Sequence, residues 1–98
     1  MPAARQPKPG RPAGSRSFDP DSAVVFGDVV RAARAEAGLS QEVLAAAAEI
    51  ERSHFSRIER GLSQPTLFAV LKIAAALGVR AAQLVEKTER QLAKVRRA

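Results

Sequence analysis

Three observations predict a compact all-α fold. Apolar residues recur at three- and four-residue spacing in five successive stretches. Those stretches are bracketed by capping residues or by glycine and proline, and no alternating apolar run is bounded by hairpin turn residues. Composition agrees: 46% of the 98 residues are apolar and alanine is very frequent, a bias that favours helices. A chain of this length makes one small domain, joined here by short connections between helices.

Residues 1–20 read as a disordered basic arm. Residues 1–18 hold four prolines, two glycines and the cations Arg5, Lys8, Arg11 and Arg16, too little apolar surface to offset the entropy of ordering. The first helix is expected to begin at Asp21 or Ser22, after Pro20, with either as N-cap. It would bury Phe26, Val29, Val30, Ala33 and Ala37, with Arg31 and Arg34 at the edges of the stripe and Gly38 as its stop. Ser40 caps a second helix over about Gln41 to Ala47, where Glu42 suits the positive end of the macrodipole and Leu44, Ala45 and Ala48 form the buried side. A third helix, from about Arg52 to Arg60, turns Phe55 and Ile58 inward and ends at Gly61.

A loop from Gly61 to Pro65 leads to Thr66, a good N-cap. The fourth helix, Leu67 to Leu77, is expected to bury Leu67, Val70, Leu71, Ala74 and Leu77 before Gly78 stops it. The fifth starts near Ala81 and presents Leu84 and Val85. Leu84, Thr88, Leu92 and Val95 keep a helical stripe. Residues 87–98 therefore read either as a basic helical extension, whose stripe would be exposed on a monomer, or as a frayed tail. The folded domain is expected over residues 21–86.

Composition excludes several classes. There is no cysteine, which removes disulfides and thiolate metal sites, and the single histidine, His54, cannot build a multi-histidine cluster. No metal and no cofactor is expected. No acid–His–nucleophile arrangement is assembled around His54 by helical spacing, so an enzyme is not expected either. No apolar run approaches the length that spans a bilayer and no signal segment is visible, which makes a soluble cytoplasmic protein without membrane contact the default. The net charge of +6 suggests a polyanionic partner. Yet Ser22 to Glu86 carries seven cations and seven anions, so the excess lies in the two ends.

One stretch carries more than fold. Gly38, Leu39, Ser40 and Gln41, then Leu44, Ala45 and Ala48, then SHFSRIERG over Ser53 to Gly61 describe two short helices joined by a tight turn. The second docks through Phe55 and Ile58 and is polar outside, which is the layout of a helix offered to a DNA groove. With Ile50, PTL at 65–67 and IAAALGV at 73–79, the segment Phe26 to Val85 resembles the lambda-repressor and Cro (XRE-type) helix-turn-helix regulators.

That resemblance implies a five-helix lambda-repressor-like domain that binds double-stranded DNA sequence-specifically as a small transcriptional regulator. It implies a homodimer on a pseudo-palindromic site, its third helices in successive major grooves. Gln41 takes the place of the residue that hydrogen-bonds a phosphate, as suits the N-terminus of a helix. The third helix becomes the recognition helix, with Arg52, Ser53, His54, Ser56, Arg57 and Arg60 toward DNA. Arginine can fork onto guanine for about 1–3 kcal/mol of base discrimination. Arg52 sits in a first turn, where the macrodipole disfavours a cation by about 0.3–1 kcal/mol unless an anion is present. Glu59 corresponds to a structural acid paired with Arg34. Among family members, the restriction–modification controller proteins are the most similar in loop and size.

The departures matter too. Glu49 stands where the turn usually has glycine, at a cost of order 1 kcal/mol in a left-handed conformation. Glu51 is a poor N-cap, and both acids place negative charge beside the DNA face. Ala46 and Ala47 replace the usual charged pair. With the neutral domain, these features favour an alternative: an antitoxin-like or protein-interaction module whose main partner is another protein and whose DNA binding is weak. The N-terminal arm likewise has two readings, a DNA-contacting arm or a solubilising tail.

Overall fold

The computed structural model describes residues 18–97. The basic arm with Arg5, Lys8, Arg11 and Arg16 lies outside them. Five helices follow one another: α1 (Pro20–Ala37), α2 (Gln41–Ala47), α3 (Arg52–Glu59), α4 (Leu67–Leu77) and α5 (Ala81–Arg97). No strand occurs among the described residues. No single helix among them is long and apolar enough to cross a membrane.

Local chemistry sets most boundaries. The Ser40 hydroxyl accepts from the Val43 N–H at 3.1 Å and the Thr66 hydroxyl from the Ala69 N–H at 3.1 Å, each satisfying a helix-start donor that would otherwise be unpaired. The start of α1 differs from expectation: Pro20 is the first helical residue and Asp19 the N-cap. Proline's fixed φ and missing N–H fit that position. The Asp19 side chain makes no cap bond, because its carboxylate meets Arg96 of α5 at 2.7 Å. The helices α1 to α4 all end alike. In each case the residue after the last turn is left-handed and two wrap-around backbone bonds close the end, as in Gly38 N to Ala35 O (3.0 Å) with Leu39 N to Arg34 O (3.1 Å).

The core sits where all five helices meet. Val30, Leu44, Phe55, Ile58, Ile73 and Leu84 are its fully buried large side chains. Each contributes roughly 1.5–3 kcal/mol relative to an exposed position. Several expectations about burial are corrected. On α4, Leu67 and Leu71 are 73% and 49% exposed, while Ala69, Ile73 and Ala74 face inward. The sequence LFAVLKIAAAL is apolar on nearly every side, so periodicity could not choose its inner face. Ala37 is exposed at the end of α1, and Val85 is exposed on α5. Finally, α5 runs unbroken past residue 86, and its stripe is not left bare: Leu84 is buried, Leu92 packs on the core, and only Val95 faces out.

Candidate nucleic-acid interface

The site is built on α3. Phe55 and Ile58 are fully buried at three-residue spacing, which fixes the rotation of the helix and turns Arg52, Ser53, His54 and Arg57 to solvent. Arg60 is exposed just beyond the last turn and Ser56 is half-buried. From below, α1 approaches α3 very closely. A Cβ built on Gly27 would lie 2.4 Å from the Glu59 carbonyl oxygen and 2.7 Å from that of Ile58. Only a glycine lets the two backbones meet at this distance. At the far end, Gly61 is left-handed, and a Cβ there would lie 2.8 Å from the Cα of Val24, so the chain leaving α3 is pressed onto α1 as well.

Beneath the helix lies one buried charge. Glu59 is 1% exposed, and a lone carboxylate there would be very costly. It is fully partnered. Arg34 donates from Nε to Oε2 at 2.7 Å and from Nη2 to Oε1 at 3.1 Å, and Gln41 donates from Nε2 to Oε1 at 2.8 Å. Arg34 also donates to the Leu39 carbonyl at 2.9 Å, and Arg31 to the Glu59 carbonyl at 2.9 Å. No buried side-chain polar atom among the described residues lacks a partner. The hydrogen bond to Glu59 raises the Arg34 pKa above its ordinary value; burial opposes this and the Coulombic attraction of Glu59 adds to it. A raised cation pKa means that the pair stabilises the fold fully below the unfolded value of Arg34. The part of that contribution that comes from Arg34 is lost as pH rises through the higher folded value, in a strongly alkaline range.

Above the helix, Gln41, Arg52, Ser53, Ser56, Arg57 and Arg60 line an open concavity of about 560 Å³. Three guanidinium groups, two hydroxyls and an amide converge there, and no carboxylate is in the lining. This donor-rich surface suits phosphate oxygens and the acceptor edge of guanine. His54 is exposed on α3 but outside that lining. Three of the polar groups are engaged within the chain: Gln41 donates to Glu59, Ser53 to the Glu51 carboxylate at 2.7 Å and Arg57 to the Leu62 carbonyl at 3.3 Å. Glu51, the residue before α3, makes no side-chain cap bond, and Glu49 is exposed at φ 57°.

Two residues that support the site escaped sequence reasoning. Gly27 carried a signal, since a glycine inside a helix costs about 1 kcal/mol against alanine and invites a packing reason. Arg31 carried none, because a cation at the edge of an apolar stripe looks the same whether or not it reaches a carbonyl 28 residues away.

With this geometry in hand, comparison with known proteins is specific. Residues 25–87 match the helix-turn-helix domain family. An uncharacterized HTH-type transcriptional regulator, y4dJ of Sinorhizobium fredii, is 38% identical over 56 residues, covering 57% of this chain and 73% of that protein. The restriction-modification controller protein C.AhdI of Aeromonas hydrophila superposes with a TM-score of 0.61 at 39% identity, covering 62% of this chain and 92% of that one. The clp gene regulator ClgR of Corynebacterium glutamicum has the same fold, with a TM-score of 0.70 at 24% identity over 74% of this chain and 77% of its own.

Proposed function

The chain belongs to the helix-turn-helix domain family, of the lambda-repressor and Cro type, and from that premise we propose that it is a sequence-specific double-stranded DNA-binding transcriptional regulator acting as a homodimer. The observation that carries this reading is the concavity over α3. Its lining offers three arginines and the Gln41 amide without a single acid, although the domain around it is neutral in sum. In this reading α3 enters the major groove. Arg52 and Arg57 reach base edges or phosphates, Ser53, Ser56 and His54 add adaptable polar contacts, and Gln41 and Arg60 meet the backbone.

Pairing is supported by α4. Leu67, Phe68 and Leu71 are 73%, 68% and 49% exposed, an apolar face of the kind that marks an association surface. Two copies would present their α3 helices about 34 Å apart, one turn of B-DNA. Likeness to C.AhdI favours a controller-like regulator. The competing reading, a protein-interaction module with weak DNA binding, draws on the same α4 face and on the two exposed acids Glu49 and Glu51 beside α3.

The test is binding to duplex DNA at rising salt, with bound sites selected from a random pool. A DNA reader loses affinity log-linearly with salt, with a slope of about −0.9 per phosphate neutralised, and returns a two-fold repeat. Arg52→Ala should then relax base preference, whereas Gln41→Ala should weaken all sequences alike. Absent or salt-insensitive binding would favour the protein-interaction module.

A further inference from the structure

We propose that Glu59 is a positioning residue for phosphate binding and that it acts through Gln41. The inference rests on the DNA-binding reading above. Gln41 borders the concavity with Arg52, Arg57 and Arg60, yet its side chain is also tied inward, its Nε2 lying 2.8 Å from Glu59 Oε1. An ionised carboxylate only accepts, so the amide must turn its nitrogen, not its oxygen, to Glu59. The nitrogen keeps a second N–H. That N–H is the only donor remaining on the side chain, and a donor is what a phosphate oxygen requires.

The carboxylate is itself immobile. Arg34 grips it with two bonds, at 2.7 and 3.1 Å, in the planar fork that suits guanidinium and carboxylate. Glu59 is 1% exposed, so water does not compete for its oxygens. An unrestrained glutamine would lose rotamer freedom on meeting DNA and could present its carbonyl oxygen, which repels phosphate. Here the buried pair removes both problems before binding, which is pre-organisation in the ordinary sense. The residue that ends α3 thereby sets the donor at the start of α2, so the recognition helix and the backbone clamp are aligned by one carboxylate.

Two experiments on the full chain test this. The first follows the two Gln41 side-chain amide protons by NMR in the unaltered protein. In the free protein one should be protected from exchange by its bond to Glu59; on addition of duplex that proton should keep its shift while the other moves. The second is a double-substitution cycle read as affinity for random duplex. Gln41→Met should weaken binding roughly tenfold, the loss of a hydrogen bond to a charged group. With affinities referred to the folded fraction measured by circular dichroism, since Glu59→Gln also unpairs Arg34, Glu59→Gln should weaken binding in the natural background but cause no further loss in the Gln41→Met background, with base preference unchanged in every variant. Additive losses, or movement of the protected proton on binding, would overturn the proposal. So would a silent Gln41 amide while α3 residues shift, and that outcome leaves the DNA-binding reading standing. If no α3 resonance shifts and no affinity is found, it is the DNA-binding reading that fails, and the role of Glu59 falls with it.

Discussion

Glu49 is held at φ 57°, the one non-glycine residue with positive φ among those described. The turn needs that conformation, since Glu49 N donates to Ala46 O at 3.1 Å and Ile50 N to Ala45 O at 2.9 Å, closing the end of α2 as glycines close α1, α3 and α4. A side chain there costs about 1 kcal/mol. Glu49→Gly is therefore expected to raise stability by up to about 0.6 kcal/mol, the relief of strain less the extra freedom glycine gives the unfolded chain. Denaturant unfolding checks this; a lower midpoint at unchanged slope would show that Glu49 makes a compensating contact. The strain was legible in the sequence, because a glutamate stood where a turn wants glycine. The bond from Gln41 to Glu59 was not. The two residues are 18 positions apart, and a polar residue at a helix start reads the same whether its amide points to water or to a buried acid.

Among the elements, the contact of α1 with α3 is the most constrained. The carbonyls that a Cβ at Gly27 would strike belong to the α3 backbone, and a backbone held by Phe55 and Ile58 cannot step aside cheaply. Gly27→Ala gains about 1 kcal/mol of helix propensity but overpacks the contact, which typically costs about 1–3 kcal/mol. The expected result is net destabilisation, a lower Tm, and weakened DNA binding as α3 tilts. An unchanged or raised Tm would mean that α1 and α3 are free to separate. Fully breaking the Arg34 and Glu59 pair should be worse, since it leaves a buried charge uncompensated at about 3–5 kcal/mol. Helix placement was legible from caps and glycines. The inner face of α4 was not, because a helix apolar all round has no face to read.

For the whole molecule, the proposed pairing centres on α4. The exposed Leu67, Phe68 and Leu71 lie on the helix that follows α3, with Lys72 set 4.5 Å over the Phe68 ring. If this face joins two copies, Leu71→Asp should convert a two-chain mass to a one-chain mass in sedimentation equilibrium. It should also lower affinity for a two-fold site far more than for a half-site, while leaving the Tm of the isolated domain little changed, because Leu71 is half-exposed already. A natural protein that sediments as one chain at every concentration would remove α4 from the pairing reading.

By itself the sequence determined the all-α class, the order of the five helices, most of their caps, and which side of α3 is apolar. These depend on near neighbours in the chain: spacing, capping chemistry and glycine conformation act within a turn or two. Only the tertiary structure decided which side of α4 is covered, that α5 continues along α1 to a bond between Arg96 and Asp19, and that Gln41 joins the expected Arg34 and Glu59 pair on the buried carboxylate. Those features join residues far apart in sequence. Which partners meet is set by how the helices pack, and helical periodicity carries no information about that.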